Sequence, residues 1–234
     1  MYIIYFSTQM IMEINTKIKT QDFILLIFNC FKYRFKAEKQ KETWLQHLPN
    51  NLLYFHVLGN PELESDYMID EKKHILYVKT ADDYNSLPKK VINAYKTINQ
   101  IYNYKYIFKT DDDQMVGNPR FFSILMNILE SKYYLPLNKR PHYGGNKITV
   151  KQDHISQYYR IHPELPNDLI VKSTTYCNGR FYFLSDDVVQ ILLKKEESIC
   201  SEYFEDYAIG YNIPDYLKIN IMVLDTDKYF KDFV

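Results

Sequence analysis

The chain has 234 residues, of which 46% are hydrophobic and 25% are charged, a composition that supports a folded domain with a real core. Its 29 basic residues balance its 29 acidic residues, so the formal net charge is zero. This balance excludes the strong positive field by which many proteins attract nucleic acid or an anionic membrane surface.

The amino-terminal region contains two apolar segments, and neither predicts a membrane span. Glu13 ends the segment "YIIYFSTQMIM", and "FILLIFNCF" (23–31) is short, whereas a span needs roughly 20 apolar residues. Neither segment has the basic start of a signal peptide. The three cysteines form no CxxC pair, which favours a reducing compartment. We therefore expect a cytoplasmic protein with an amino-terminal arm over residues 1–22.

Apolar runs and amphipathic patterns alternate along the first half of the chain. Gly59 and Pro61 mark one turn, and Pro88 suits the first turn of a helix. The predicted elements are a strand at 23–31, a helix at 32–48, strands at 51–59 and 74–80, a helix at 87–102, a strand at 104–110 and a helix at 120–134.

The second half is less regular. It predicts strands at 141–150 and 176–185, a helix at 186–197 that begins with Asp186-Asp187 as its N-cap, and one late strand within 218–230. There is no internal repeat and no linker rich in Gly or Ser. The alternation of strands and helices predicts one α/β domain with a largely parallel sheet.

Three consecutive aspartates, Asp111, Asp112 and Asp113, directly follow the strand at 104–110. Like charges repel each other, and Asp is a poor strand residue. One interpretation is a solvated acidic loop. The other is a divalent cation, which binds hard oxygen ligands and neutralises the repulsion. Ligands of α/β sheets bind at the carboxyl ends of the strands, which is where these aspartates fall.

Six separated segments carry further motifs. They are "KQKETW" (39–44), "HVLG" (56–59), "DDYNSLPKK" (82–90), "KTDDD" (109–113), "YCNGRFYFLS" (176–185) and "EDYAIG" (205–210). In this order they resemble the motifs of the β-1,3-galactosyltransferase-like and fringe-like inverting glycosyltransferases of GT-A fold. The resemblance runs from about residue 23 to residue 215. Each motif alone is weak, and six in the same order are specific.

The resemblance implies a single GT-A domain over 23–234, in which helices flank a mixed, mostly parallel central sheet. The donor-binding half would cover about 23–118, and the acceptor and catalytic half about 119–234. The implied reaction moves a hexose or N-acetylhexosamine from a nucleotide sugar, such as a UDP-sugar, to a carbohydrate hydroxyl with inversion to a β-linkage. Mn²⁺ or Mg²⁺ is the implied cofactor. The implied partners are a nucleotide-sugar donor and a glycan acceptor, without nucleic acid.

The resemblance also assigns roles to residues. Asp206 would be the catalytic base, and Glu205, the second catalytic residue, would orient the acceptor or the loop. The metal contacts would be Asp113 and Asp111. The remaining implied residues are Asp111, Asp112, Lys90, Thr43 and Arg34 for the nucleotide sugar, and Tyr176, Gly179 and Arg180 for the loop between acceptor and donor.

Structural explanations of these residues stay open beside the functional ones. Lys90 also suits a solvated helix face, and Gly179 suits a bulge. Glu205 and Asp206 also suit the first turn of a helix. We expect Trp44 in the core, and Cys177 as a small buried hydrophobe.

The sequence departs from the family pattern in two places. Many family members have a late His that completes the metal site, but all six His of this chain precede the "YCNGRFYFLS" motif. Asp225 and Asp227 are oxygen donors near that position. Arg180 and Phe181 replace two glycines of the family, and Arg180 suits either a surface salt bridge or an acidic group of a ligand.

Two other functions remain as alternatives. A metal-dependent nucleotidyl or phosphoryl transferase would use the same aspartates, but the chain has only six Gly and no GxxxxGK loop. A catalytically decayed carbohydrate- or nucleotide-binding scaffold would bind without turnover. The absent late His favours the scaffold, and retention of both acidic motifs disfavours it.

Overall fold

The computed structural model describes residues 19–131 and 140–233. The strands are β1 (Lys19–Thr20), β2 (Phe23–Phe28), β3 (Leu52–Gly59), β4 (Tyr67–Asp70), β5 (Ile75–Val78), β6 (Tyr102–Asn103), β7 (Tyr106–Asp111), β8 (Gln114–Val116), β9 (Tyr143–Val150), β10 (His154–Ile155), β11 (Ile170–Val171), β12 (Thr174–Ser185), β13 (Met222–Val223) and β14 (Phe230–Asp232). The helices are α1 (Arg34–Glu42), α2 (Leu87–Ile101), α3 (Phe121–Glu130), α4 (Asp186–Leu193), α5 (Glu196–Cys200), α6 (Glu205–Asn212) and α7 (Asp215–Lys218). Short 3-10 turns lie at Phe31–Tyr33, Trp44–His47, Tyr158–Arg160 and Thr226–Lys228.

The main sheet has eight strands in the order β13-β9-β12-β7-β2-β3-β5-β4. Strands β7, β2, β3 and β5 are parallel, whereas β12 runs antiparallel to both β7 and β9. The edge strand β4 is antiparallel to β5. The predicted mixed, mostly parallel α/β sheet is therefore confirmed.

Strand β2 lies at the centre because both of its faces are apolar. Ile24, Leu26 and Phe28 belong to one hydrophobic core, and the alternate residues of the same strand belong to the other. The first core packs α2, α4, α5 and α6 against one face of the sheet. The second packs α3 and the turn around Trp44 against the opposite face.

Several predicted boundaries differ from the structure, including the helices predicted at 32–48 and 186–197, which end at Glu42 and Leu193. Residues 19–22 were assigned to the arm, but β1 pairs with β6, and Lys105 donates a backbone hydrogen bond to the Asp22 carbonyl at 2.9 Å. These four residues therefore belong to the folded domain. The rest of the predicted arm, 1–18, and the end of the predicted helix, 132–134, lie outside the described residues.

The predicted late strand at 218–230 is divided. Only Met222–Val223 pairs with β9, a 3-10 turn follows, and Phe230–Asp232 pairs with β8 instead. The turn contains Asp225 and Asp227, and Asp is poorly suited to a strand interior.

The predicted cap of α4 is also wrong. Ser185 is the N-cap, and its hydroxyl accepts a hydrogen bond from Val188 N. Asp186 and Asp187 follow in the first turn, where both pair with Arg140, at 2.7 and 3.4 Å respectively.

Candidate active site

The aspartate triplet forms the turn between β7 and β8. Asp111 ends β7, and the backbone N–H of Asp112 donates to the carbonyl of Phe28 at the end of β2, at 3.1 Å. The buried Gln40 of α1 donates its side-chain amide to the carbonyls of Asp111 and Gln114, at 3.3 and 2.9 Å. The turn is thereby fixed to the carboxyl edge of the parallel strands, as the sequence predicted.

The three carboxylates of the triplet have different partners. Asp111 Oδ1 lies 2.7 Å from Lys109 Nζ, and Asp112 Oδ1 lies 3.3 Å from Lys36 Nζ of α1. Asp113 Oδ1 accepts a hydrogen bond of 2.8 Å from the Gln114 amide. Two members of the triplet are thus paired with lysines, while the partner of Asp113 is neutral.

Lys109 is the buried cation of the site. Its side chain is only 1% exposed, and its ammonium lies 3.0 Å from Glu205 Oε2 in addition to Asp111. It also donates to the carbonyl of Gly179 at 2.8 Å. One side chain of β7 therefore connects the aspartate turn, the start of α6 and the centre of β12.

Strand register explains this convergence. Lys109 lies directly opposite Tyr182 in the β7–β12 ladder, so both side chains lie on one face of the sheet. The Tyr182 hydroxyl donates to Glu205 Oε1, and it lies 2.8 Å from the Tyr95 hydroxyl of α2. Tyr182 and Lys109 thus satisfy one oxygen each of Glu205, which is only 4% exposed, and Tyr95 supports Tyr182.

Gly179 lies in an irregular part of β12. The pairing with β9 shifts register between Cys177 and Tyr182, so the intervening residues bulge from the ladder. The Gly179 N–H donates to Asp206 Oδ2 at 2.9 Å. A Cβ on Gly179 would lie 3.2 Å from Lys109 Nζ, 3.4 Å from Asp111 Oδ2 and 3.7 Å from Asp206 Oδ2. The bulge interpretation of Gly179 is confirmed, and the bulge brings its backbone to the meeting point of three charged groups.

Asp206 and Glu205 occupy different environments although they are adjacent in the first turn of α6. Asp206 is partly exposed, and its Oδ1 accepts a 2.7 Å hydrogen bond from the N–H of Tyr207. Glu205 is buried and fully engaged. Asp206 is therefore the more accessible of the two, and Glu205 is held in an ion pair with Lys109.

Close packing of α6 on β12 sets the position of Asp206. A Cβ on Gly210 of α6 would lie 2.2 Å from Tyr176 Cβ and 2.8 Å from Tyr176 Cα. The glycine that ends the "EDYAIG" motif thus allows the helix to approach the strand. Any side chain there would push the start of α6 away from Lys109 and Gly179.

Burial and charge change the pKa values of these groups. Burial raises the pKa of the Asp206 carboxyl, and Lys109 and two backbone N–H groups oppose that rise only in part. Burial raises the pKa of Asp111 to about 6, against the effect of Lys109. Burial lowers the pKa of the Lys109 ammonium, but Asp111 and Glu205 raise it by more, so Lys109 remains charged.

The local charge is strongly negative. The carboxylates of Asp111, Asp112, Asp113, Glu205 and Asp206 face two ammonium groups, those of Lys36 and Lys109, so negative charge exceeds positive charge by three. Within the part of the chain that the structure describes, no three His, Cys, Asp or Glu side chains form a metal-binding group. Such a site fits a divalent cation that takes one or two carboxylates and completes its shell with substrate phosphates and water, as Mg²⁺ commonly does.

The galactosyltransferase family model matches residues 37–225, which include the aspartate turn, the β12 bulge and the first turn of α6. The chain belongs to the galactosyltransferase family. The mixed α/β sheet expected of the GT-A fold in this family is the one observed.

Individual relatives are more distant. Human UDP-GalNAc:beta-1,3-N-acetylgalactosaminyltransferase 1 is 28% identical over 204 residues, which make up 82% of this chain and 57% of that protein. The Xenopus laevis UDP-GalNAc:beta-1,3-N-acetylgalactosaminyltransferase 2 is 24% identical over 140 residues, 58% of this chain and 26% of that protein. A solved glycosyltransferase involved in the glycosylation of the major capsid of PBCV-1 is 12% identical, with a TM-score of 0.41 and coverage of 88% of this chain and 82% of that chain. The chain thus spans little more than half the length of the first curated relative it matches.

Several residues predicted from the galactosyltransferase motifs lie outside the cluster around Gly179. Lys90 is 2% exposed, and its ammonium lies 2.5 Å from Asp82 Oδ1 and 3.0 Å from the Asn29 carbonyl. Asp82 also accepts from the backbone N–H groups of Phe31 and Gly59, at 2.6 and 2.8 Å. Lys90 therefore neutralises a carboxylate that ties strand ends together, and the solvated-face interpretation is wrong. Its predicted contact with the nucleotide sugar stays a prediction.

Thr43 and Arg34 are not brought to the aspartates. The Thr43 hydroxyl donates to the carbonyl of Lys39 at 2.7 Å, and Thr43 lines a separate cavity of about 340 Å³ beside Trp44 and Phe122. Arg34 is exposed, and its guanidinium lies over the Phe31 ring at 4.5 Å.

Arg180 and the late aspartates form salt bridges near the end of the chain. Arg180 lies 2.8 Å from Asp227 and 3.0 Å from Asp232, while Asp225 pairs with Lys228 at 3.0 Å. This arrangement supports the salt-bridge interpretation of Arg180. It also occupies the two carboxylates considered as replacements for the late His.

The core predictions for Trp44 and Cys177 are confirmed. Trp44 is 5% exposed and donates its indole N–H to the Gln114 carbonyl at 3.2 Å. Cys177 is fully buried, and burial raises the pKa of its thiol to about 12, which makes it a poor nucleophile.

Sequence reasoning missed Lys36, Lys109, Tyr95 and Tyr182 as site residues. Lys109 was visible as a charge near the end of the predicted strand at 104–110, and a buried Lys requires a carboxylate partner. The roles of Tyr95, Tyr182 and Lys36 depend on contacts between segments far apart in the chain, for which the sequence carries no local signal.

Among the described residues, no helix combines the length and apolarity that a membrane crossing requires.

Proposed function

We propose that this chain transfers a hexose or N-acetylhexosamine from a nucleotide sugar, in the first instance a UDP-sugar, to a carbohydrate hydroxyl. The product would be a β-linked glycoside formed with inversion. One observation carries the proposal: Asp206, partly exposed, is held by the Gly179 N–H at the point where Asp111 of the aspartate turn also lies. The proposed base and a carboxylate of the aspartate turn are thus adjacent.

Asp206 is the base in this proposal. The acceptor hydroxyl transfers its proton to a carboxylate oxygen of Asp206, while the oxygen electron pair forms a bond to the anomeric carbon. The bond from that carbon to the diphosphate oxygen breaks, and its electrons leave with the diphosphate. A base in this position contributes about 10²–10⁴-fold to the rate. Burial, which raises the pKa of Asp206, makes it a stronger base than an exposed Asp.

Two backbone N–H groups orient that base. Gly179 N donates to Oδ2 and Tyr207 N donates to Oδ1, which fixes the plane of the carboxylate and leaves each oxygen with a further lone pair. Lys109 holds the Gly179 carbonyl from the other side, and Glu205 and Tyr182 hold Lys109. The buried network thus acts on the acceptor side through the β12 bulge.

Asp113, with Asp111 beside it, would hold Mn²⁺ or Mg²⁺ together with the donor phosphates. The excess of negative charge and the neutral partner of Asp113 support this assignment. When bound, the cation would stabilise the charge of the departing diphosphate. Asp112 holds the turn in place through Lys36 and the Phe28 carbonyl.

The donor is chosen by analogy. The curated relatives are named for UDP-GalNAc as donor, so UDP-GalNAc and UDP-Gal are the first compounds to test. Thermal shift and donor hydrolysis are measured with UDP-, GDP- and dTDP-sugars, each with and without Mn²⁺. We expect stabilisation by one nucleotide class only when the metal is present.

Three variants assign the site. Asp113→Ala should abolish the metal-dependent stabilisation, and Asp206→Asn should keep it while lowering turnover by about 10²–10⁴-fold. Asp70→Asn is the matched control, because Asp70 lies on the far edge strand β4. Binding without turnover in the unaltered protein would support the scaffold alternative. Absence of any metal-dependent response to every nucleotide sugar would contradict the proposal.

A further inference from the structure

Three stacked rings lie beside the first turn of α6, and the proposed reaction does not use them. We call Tyr84, His162 and Tyr158 the aromatic stack. The His162 ring lies between the other two, 4.5 Å from the Tyr84 ring at an interplanar angle of 10°, and 5.3 Å from the Tyr158 ring at 11°. The stack joins the loop before α2 to the segment between β10 and β11, which are far apart in the chain.

The stack continues to the proposed base. The Phe204 ring packs edge-on against Tyr158, with centroids 5.6 Å apart and an interplanar angle of 79°. Phe204 is the N-cap of α6 and directly precedes Glu205 and Asp206. The pKa of Tyr84 is raised mainly by burial, with smaller contributions from Tyr158 and Asp206, which agrees with this proximity.

Tyr158 is the accessible end of the stack. His162 covers one face of its ring and Phe204 meets it at an angle, yet Tyr158 is 47% exposed. Its neighbours are fixed: Glu164 Oε1 lies 3.2 Å from His162 Nδ1, and Tyr84 covers the other face of the imidazole. The structure therefore presents a rigid and partly uncovered aromatic ring next to a carboxylate base.

The chemistry of such a ring selects its ligand. One face of a pyranose consists of C–H bonds and is apolar, while its rim carries hydroxyl groups, so it can stack on an aromatic face and still project a hydroxyl sideways. Aromatic residues with one uncovered face serve such amphipathic contacts well. The excess of negative charge around Asp206 would repel a glycan that carries carboxylate groups.

We propose that Tyr158 is the stacking platform for the acceptor sugar, and that the acceptor is a neutral pyranoside whose apolar face lies on this ring while its reacting hydroxyl meets Asp206. This inference rests on the proposed transferase function and adds the class of acceptor. His162 and Tyr84 hold the platform in place and do not touch the sugar.

The test uses the donor identified by the nucleotide-sugar panel and two acceptor probes, methyl β-galactopyranoside and methyl β-glucuronide. Transfer is measured for the unaltered protein and for Tyr158→Ala, Tyr158→Phe and Tyr158→Trp. The control is Tyr216→Ala, which removes a 65% exposed tyrosine in α7. Donor hydrolysis without acceptor is measured for every protein.

We expect transfer to the galactoside in preference to the glucuronide. Tyr158→Ala should raise the KM for the galactoside about tenfold, while Tyr158→Phe and Tyr158→Trp stay close to the unaltered protein. The KM for the donor and the rate of donor hydrolysis should not change in any Tyr158 variant. Saturation-transfer NMR of the galactoside should lose its signal in Tyr158→Ala, which tests binding independently of turnover.

Different failures are distinguishable. If the unaltered protein neither binds nor hydrolyses any nucleotide sugar, the transferase function fails and the inference fails with it. If it transfers sugar but Tyr158→Ala keeps the acceptor KM, the platform alone is wrong. A raised donor KM in that variant would place Tyr158 on the nucleotide instead. Hydrolysis without transfer to the galactoside, or a preference for the glucuronide, would overturn the acceptor class.

Discussion

Replacing Lys109 by Met removes the buried cation of the site and keeps a side chain of similar length. The substitution leaves Glu205, whose side chain is 3% exposed, with the Tyr182 hydroxyl as its remaining hydrogen-bond partner. Asp111 also loses its ion pair, but its side chain is 32% exposed and water can replace the ammonium. The main penalty therefore comes from Glu205.

The size of the penalty follows from the burial. Breaking a buried ion pair by removing one partner costs about 3–5 kcal/mol. Loss of the partly exposed pair with Asp111 adds less than about 1 kcal/mol. We expect Lys109→Met to lower the free energy of unfolding by about 3 kcal/mol. For a domain of this size that corresponds to a fall in Tm of about 6–12 °C.

The assay is urea unfolding with thermal unfolding in parallel. Lys105→Met is the matched control, because Lys105 precedes the same strand and pairs with Asp22 and Glu130, but half of its side chain is exposed. The control should change stability by less than about 1 kcal/mol. The double variant Lys109→Met with Glu205→Gln removes the unpaired buried carboxylate as well. It should recover about 2 kcal/mol of the free energy of unfolding that Lys109→Met loses.

Two results would refute this reasoning. A Lys109→Met protein as stable as the Lys105→Met control would mean that the ammonium does not compensate Glu205. A double variant no more stable than Lys109→Met would mean that Glu205 is not the source of the penalty.

The remaining predictions concern separate parts of the domain. Burial lowers the pKa of His56 to about 3, whereas this side chain is protonated near pH 6.5 in the unfolded chain. Protons therefore bind preferentially to the unfolded state, and the free energy of unfolding should fall by about 2 kcal/mol between pH 7 and pH 5. Urea unfolding of His56→Phe should lose this pH dependence, and a variant that keeps it would show that His56 is not its source. Gly210→Ala places a Cβ 2.2 Å from Tyr176 Cβ, so it should lower the free energy of unfolding by about 1–3 kcal/mol and reduce transfer activity. An unchanged Tm would contradict the close packing of α6 on β12. Arg180→Met breaks pairs with Asp227 and Asp232, both more than 60% exposed, and thermal unfolding should show a loss below about 1 kcal/mol; a larger loss would show that these pairs are not solvent-screened.

Local patterns were sufficient for most elements of the sheet. Strand β2 was predicted because every residue from Phe23 to Phe28 is apolar, and helix α2 because apolar residues recur at helical spacing after Pro88. The edge strand β4 and the pair β8–β14 were not predicted. They are short, and the partners β8 and β14 are far apart in the chain.

In the candidate site, too, local motifs located some residues, and tertiary contacts decided their surroundings. The motif order pointed to Asp111, Asp113 and Asp206 before any geometry was available, and the structure brings the carboxylates of Asp111 and Asp206 together beside Gly179. The resemblance assigned the base to Asp206 and an orienting role to Glu205, but nothing in the local sequence gave a physical reason for that difference. That distinction depends on burial, which pairs Glu205 with Lys109 and leaves Asp206 accessible.

The sequence by itself determined the class of fold, the turn that carries the aspartates and the helix start that carries the proposed base, because these follow from local periodicity, charge and motif order. Tertiary structure alone decided that Lys90 neutralises Asp82 and that Lys109 connects three segments. It alone also placed Tyr84, His162 and Tyr158 in one stack. The physical reason is that each of these contacts joins residues distant in the chain, and only the register of the sheet and the β12 bulge bring them within a few ångströms.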